Sequence, residues 1–413
     1  MSPQNQIGRV DGPLQGIRVL DMTIGQQGPF ATVMLSDMGA EVIKVEDPRF
    51  GGDTMRLFRP EMASQGLQVI AGVNAYFEAN NRNKKSITVN AQTPRGKEVL
   101  ARLARMCDVF VHNRRPGVME KLGLDYESLK GVNPGLIYAA ASAYGPEGPD
   151  AELRGIDQLA QARGGIMSIM GGPEEPPEWT PGGIADQVGA MMLAHGIVLA
   201  LLARERFGIG QEVNTSLLGS QLALQGFYIQ GTLFSGQLPP KLTREERPPL
   251  FNTYRGRDGR WLVLALMGRA FWPRLCQGLG VPALIEDPRF ATPEKRLENR
   301  AELISILDSV FRTRDRDEWL RILQAGDVMA APVQDYTEVA GDPQVLENDY
   351  IVDFHHPVLG ATKVLGLPIR LSRTGGRVRS AAPQLGEHTT EVLTTLLGYS
   401  TQELEIMRRE EVI

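Results

Sequence analysis

Residues 17–45 read IRVLDMTIGQQGPFATVMLSDMGAEVIKV, and the order of patterns in this stretch decides the fold. Ile17 to Leu20 is a short apolar run ending at Asp21. A turn of Gly and Gln follows, and Pro29 opens a helical stretch, FATVMLSDMG, that closes at Gly39. Proline presets φ at a helix start, where its missing N–H costs nothing. Glycine just past the end takes the left-handed turn that other residues resist. Glu41 to Val45 is the next strand. The unit recurs downstream: Thr93-Pro94 caps a helix through Met106, Asp108 to Val111 is a strand, and Leu136 to Ala141 is another. Strands alternating with helices predict a doubly wound α/β domain around a parallel sheet.

Farther along, Asp186 to Arg206 reads as one long, largely apolar helix, expected to be buried. Gln211 to Ser216 is a strand and Leu217 to Phe234 a further helix. Residues 235–250, SGQLPPKLTREERPPL, are rich in proline and charge and read as a linker. Phe251 to Tyr254 and Trp261 to Leu266 flank Arg-Asp-Gly-Arg, a hairpin signal with Asp258-Gly259 at the turn. Helices follow to about Ala325, which makes a smaller α+β domain, and the tail from Asp342 is expected to return to the first domain.

Composition bounds the rest. At 413 residues the chain exceeds one ordinary core, which favours two domains. With 42% hydrophobic and 23% charged residues it is neither a disordered chain nor a coiled coil. A net charge of −5 marks no general nucleic-acid or membrane-surface binder. Cys107 and Cys276 cannot build a disulfide framework or a cysteine-rich metal site, and they fit a reducing cytosol. The N-terminal MSPQNQIGRVDGP lacks a signal-type apolar core. The longest apolar stretch, Val188 to Ala203, is sixteen residues and carries His195; that is short of the ~20 a spanning helix needs. A cytoplasmic protein is expected.

Familiar site motifs are missing: no Walker A loop, GxSxG, CxxC or HExxH occurs, and IGQQGP after the first strand lacks the GxGxxG spacing. One residue stands out on physical grounds. Asp186, in GGIADQVGA, sits where a glycine segment gives way to the long helix. The plain reading is an N-cap whose carboxylate is held ionised by helix amides. The sharper reading is a nucleophile, which needs an ionised oxygen and small neighbours, here Gly182, Gly183 and Gly189. His195 reads as a core histidine and His355-His356 as part of a loop before Pro357. Cys107 and Cys276 read as packing residues, and no metal site is expected.

Several pieces, in order, carry a resemblance. They are GIRVLDM, GPFATVMLSDMGAEVIKVEDP with GGDTMR, NRNKKSI, DVFVHN and PGVMEKLGL. The Asp-Gln-x-Gly start of the long helix, ALLARERFGIGQEV and LGEHTTEVL complete the set. Together they resemble the class III CoA-transferases, the formyl-CoA and carnitine CoA-transferase group, over most of the chain and least from 235 to 330. The resemblance implies a Rossmann-like large domain from 1–218 and 343–413, linkers at 219–245 and 331–342, and a small domain at 246–330. It also implies an interlocked dimer, either a homodimer or a heteromer with a related subunit. Its substrates would be an acyl-CoA and a small carboxylic acid, with coenzyme A as substrate and no tightly bound cofactor.

Position by position, the resemblance makes Asp186 the catalytic aspartate and Gln26 the turn glutamine that hydrogen-bonds intermediates, with Gln27 beside it. Val89 to Gln92 match a backbone segment along the CoA adenosine. Asn113, Arg114 and Arg115 match the pantetheine and phosphate strip. Lys121 and Arg154 stand at basic positions, and Asp157 at the place of a carboxylate near the active site. Two departures bear on substrate. Asp47 replaces a CoA-contacting arginine of formyl-CoA transferase, and residues 235–260 lack that enzyme's glycine-rich loop. A larger acid than formate or oxalate is therefore expected, a dicarboxylate with succinyl-CoA as donor. The same fold serves α-methylacyl-CoA racemases, whose proton-moving His would precede Asp157, where this chain has Ile156. A non-catalytic CoA-binding subunit is the other alternative.

Overall fold

Six parallel strands form the central sheet: β1 (Arg18–Met22), β2 (Glu41–Glu46), β3 (Lys85–Thr88), β4 (Val109–His112), β5 (Ile137–Ser142) and β6 (Gln211–Ser216). The computed structural model describes residues 10–57, 68–268 and 270–413. The spatial order is β3-β2-β1-β4-β5-β6, so the winding reverses between β1 and β4. In open α/β sheets that reversal leaves a crevice at the carboxyl ends of the strands, where ligands bind.

Side chains alternate across a strand with period two, and that sorts the core into two layers. Leu20, Ile43, Ile87 and Phe110 point to one layer, while Val19, Val42, Val109 and Val111 point to the other. Helix α1 (Gln27–Asp37) belongs to the second layer and α2 (Ala75–Asn81) packs beside it. Helix α3 (Pro94–Arg105) lays Val99, Leu100, Leu103 and Ala104 on the first layer. Thr93 caps α3 as its sequence implies, its hydroxyl accepting the Gly96 N–H at 2.9 Å. Such a cap is worth about 1 kcal/mol.

Two short-range contacts introduce the site. Helix α4 (Asp157–Arg163) packs against the long helix α5 (Ile184–Phe207), whose small residues Ala185, Gly189 and Ala190 allow α1 to come close. The expectation that α5 is wholly buried holds for one face only. Ala185, Gly189, Leu193, Ile197, Ala200 and Leu201 are inside, while Met191, Met192, Val198, Leu199 and Leu202 are exposed. His195 falls on the outward stripe at helical spacing and is exposed, so it is not a core histidine. By length and composition alone α5 could cross a membrane, yet its inner face is a wall of the sheet core.

By its contacts the chain falls into two units, one containing residues up to 167, 179–237 and 348–413, the other 168–178 and 238–347. Residues 219–237, read from sequence as linker, lie in the first unit and carry helix Gly226–Ser235. The helix expected from Leu217 to Phe234 breaks at Gln225, whose Nε2 donates to the Gly164 and Gln221 carbonyls. In the second unit Phe251–Arg255 and Trp261–Ala265 form the antiparallel hairpin that Asp258-Gly259 signals. Ala330–Pro332 joins them, over a core that includes Tyr254, Trp272, Phe290 and Phe311.

The tail returns to the first unit. His388 N–H donates to the Ser86 carbonyl at 2.8 Å, Thr88 N–H to Thr389 Oγ1 at 3.0 Å, and Asn90 N–H to the Val412 carbonyl at 2.8 Å. His355 and His356 end a strand, Ile351–His356, rather than lying in a loop. His356 is buried, its Nδ1 accepting the Val358 and Leu359 N–H groups that make the turn.

Candidate active site

The turn after β1 is anchored by buried charge. Asp21 Oδ1 accepts the Thr23 N–H and hydroxyl, and its Oδ2 accepts the Thr32 hydroxyl and Lys84 Nζ. Lys84 gives its other two protons to the Pro29 carbonyl and Asn81 Oδ1, so all three are used, and burial, opposed by Asp21, lowers the ammonium pKa to about 8. Burial acts to raise the Asp21 pKa, but Lys84 and Lys44 beside it bring it well below the usual carboxylate range. Lys44 Nζ donates to the Thr23 carbonyl and to Asp53 Oδ2, both at 2.9 Å. Asp53 Oδ1 in turn accepts the Gly25 N–H. From β4, Asn113 bonds both backbone groups of Ile24, accepting at 2.9 Å and donating at 2.7 Å. The turn spans the crevice between β1 and β4, and these bonds fix where Gln26 leaves it.

Opposite stands the start of α5. Its N-cap is Gly183, at φ 69°, with no side-chain cap of its own. The N-cap reading of Asp186 is therefore wrong: Asp186 is the third helical residue. The capping acid is Asp157, whose Oδ1 accepts the Ala185 N–H at 2.6 Å and the Asp186 N–H at 3.1 Å. Its Oδ2 accepts from Gln161 Nε2 at 2.6 Å. Since Asp157 takes those amides, Asp186 is not held ionised by its own helix. Burial and then the Asp157 charge push the Asp186 carboxyl up to about 7, opposed by a backbone hydrogen bond from Gln27.

Both glutamines pack on glycines of this element. A Cβ at Gly183 would lie 2.6 Å from Gln26 Oε1, and one at Gly189 would lie 2.7 Å from Gln27 Nε2. Gln26 Oε1 accepts the Tyr76 hydroxyl at 3.0 Å. Burial, then the Asp186, Asp53 and Asp157 charges, raise the Tyr76 phenol above its ordinary pKa, which keeps it a donor. Sequence reasoning missed Tyr76. The available signal was Asn74, which caps α2 by accepting the Tyr76 and Phe77 N–H groups and so sets Tyr76 at the second helical position.

A sequence profile described as CoA-transferase family III matches residues 14–389. The chain belongs to that family. Succinyl-CoA:glutarate CoA-transferase of Mus musculus is 34% identical over 396 residues, 95% of this chain and 88% of the relative. Formyl-CoA:oxalate CoA-transferase of Streptomyces avermitilis is also 34% identical, over 417 residues, 97% of this chain and 99% of the relative. The crystal structure of a CAIB/BAIF family protein from Brucella suis superposes with TM-score 0.83 at 32% identity, over 94% of this chain and 100% of that one. The protein is thus an enzyme, a CoA-transferase that moves CoA between an acyl-CoA and an acid.

Within this CoA-transferase, Gln26, Gln27, Asp157 and Asp186 come together, and Asn113 joins them through the turn. Arg114 follows Asn113 and is half-buried; burial lowers its guanidinium pKa, against Asp53 and Asp47. Arg115, Lys121, Arg154 and Gln92 are exposed, and Val89 is buried in the first layer. None of these five enters the hydrogen-bond network of Asp186 among the described residues. At Asp47 an arginine is nonetheless at hand: Arg49 holds that carboxylate through Nε at 3.0 Å and Nη2 at 2.7 Å. Cys107 and Cys276 are both buried, and burial pushes each thiol up to about 12. Among the described residues no group of three or more His, Cys, Asp or Glu is arranged to hold a metal ion.

Proposed function

We propose that the enzyme transfers CoA reversibly through covalent intermediates on Asp186. An Asp186 oxygen attacks the donor thioester carbonyl and expels CoA thiolate, leaving an acyl-aspartyl anhydride. The thiolate attacks the aspartyl carbonyl and expels the donor acid, leaving an aspartyl-CoA thioester. The acceptor carboxylate attacks that carbonyl to form a second anhydride and free thiolate. Attack of the thiolate on the acceptor's carbonyl releases the new acyl-CoA and restores Asp186. The observation that carries this reading is an aspartate driven up to about 7, with glycine surfaces on its helix rather than a lysine or arginine partner. A poorly solvated carboxylate is the stronger nucleophile, and at neutral pH a large fraction is ionised.

The donor in this proposal is succinyl-CoA and the acceptor a larger carboxylic acid, as in the mouse relative's name. The formyl-CoA:oxalate relative at equal identity means that sequence distance alone does not choose between them. CoA lies along the Val89–Gln92 backbone and Asn113, with Arg114, Arg115, Lys121 and Arg154 as the cations for its phosphates. Two copies interlock as a homodimer, and the reaction runs in the cytosol with no tightly bound cofactor. Ile156 opposes a racemase, because it offers no base beside Asp157.

Incubation with succinyl-CoA and hydroxylamine tests the reading. Anhydrides and thioesters react with hydroxylamine and carboxylates do not, so the enzyme should lose activity and carry a hydroxamate at residue 186. Asp186→Asn should stay unlabelled and transfer at under 1% of wild type. Transfer with no adduct, or an adduct on Asp157, would overturn the covalent role of Asp186.

A further inference from the structure

Gln27 is the first residue of α1, and it brings two donors to α5. Its backbone N–H acts to lower the pKa of the Asp186 carboxyl. Its carboxamide nitrogen lies against Gly189, one helical turn along the same face of α5 from Asp186. The residue is 4% exposed, and Nε2 has no hydrogen-bond partner. Native proteins keep few such groups, because a desolvated N–H without an acceptor is costly. For packing alone Met or Leu would serve at this position without that cost.

We propose that the Gln27 side-chain N–H is held for an oxygen that arrives with the reaction, the carbonyl oxygen of the acyl group joined to Asp186. This role rests on the covalent reading above. When CoA thiolate adds to the acyl carbonyl of the second anhydride, the C=O electron pair moves onto that acyl oxygen. Collapse re-forms the carbonyl and expels the carboxylate. Gln27 neither gives nor takes a proton; its hydrogen bond strengthens as charge grows on that oxygen and relaxes as it leaves. Gly189 is what lets the carboxamide reach this place, since any side chain there would displace it.

Gln27→Met keeps the length and deletes the donor. With succinyl-CoA as donor, kcat should fall about 100- to 1,000-fold, the scale of losing one donor to a developing oxyanion. KM should stay within about threefold. The thermal midpoint should not fall, because the lost N–H has no partner in the resting protein. Gln27→Leu should give the same three readings from a second apolar shape and guards against a folding defect peculiar to one variant. A kcat within twofold of wild type overturns the role, and so does a fall in thermal midpoint that accompanies the lost kcat. Asp186→Asn, measured alongside, separates the two ideas. If it is inactive while Gln27→Met is undiminished, only the Gln27 role fails; if it is active, the covalent reading itself fails.

Discussion

Asp21 and Asp53 at one side of the turn, and Asp157 and Asp186 at the other, are all withdrawn from water, yet their surroundings differ in one respect. The first pair meets two buried ammonium groups, Lys84 at 3.0 Å and Lys44 at 2.9 Å. The second pair meets backbone N–H groups and a carboxamide. Asp21 is accordingly driven well below the ordinary carboxylate range and Asp186 up to about 7. A buried acid paired with a cation is a fixture, ionised throughout the working pH range. A buried acid that shares its site with another acid changes charge near neutrality. The structure therefore separates the carboxylates that hold the turn from the one available for chemistry.

The largest effect should come from removing a cation on the paired side. Lys44→Met leaves Asp53 buried without its ammonium, and breaking such a pair costs about 3–5 kcal/mol. Urea unfolding at pH 7 should show that loss. A change below about 1 kcal/mol would mean that the two sides do not differ as argued.

On the unpaired side the sign reverses. The folded-state value of Asp186 lies above its unfolded value, so ionising it opposes folding. Its contribution is fully present below the ordinary carboxylate range and is lost as pH rises through about 7. Asp186→Asn should therefore match wild type near pH 4 and exceed it by roughly 4 kcal/mol at pH 8. Stability curves for the two proteins that run parallel from pH 4 to 8 would remove the distinction.

The smallest effect belongs to Asp157→Asn. Asparagine can still accept the Ala185 and Asp186 amides, but it removes the neighbouring charge and sets a donor against Gln161 Nε2. In wild type kcat/KM should rise with pH through about 7 as Asp186 ionises. In the variant that limb should move to lower pH by less than one unit, with a stability loss of about 1–3 kcal/mol. A limb that stays in place would assign the raised value to burial alone.

What the sequence makes legible is local. The β1–α1–β2 reading, the Thr93 cap and the Asp258-Gly259 hairpin rest on patterns confined to a few residues, and each occurs as read. Asp157 and Asp186 could be named from the resemblance, but their division of labour could not. The amides that Asp157 caps lie 28 and 29 residues downstream, so only the folded chain shows which acid caps. His195 misled because an apolar run does not say which face meets the sheet. The break at Gln225 was hidden because its side chain takes carbonyls from Gly164, far back in the chain, as well as from its own helix. Tyr76 lies 50 residues from the glutamine it touches.

The return of the tail has a consequence for synthesis. Strand β3 and the residues after it exchange hydrogen bonds with Thr389, His388 and Val412, and Val392, Leu393, Leu404 and Met407 belong to the same apolar layer as Leu20, Ile43 and Phe110. The second unit draws on chain made no later than residue 347. As the polypeptide emerges from the ribosome, that unit has all its residues while the sheet still lacks part of one apolar layer. Until residues 389–412 arrive, strand β3 and helix α3 lack their final apolar neighbours, a nascent surface of the kind that chaperones engage.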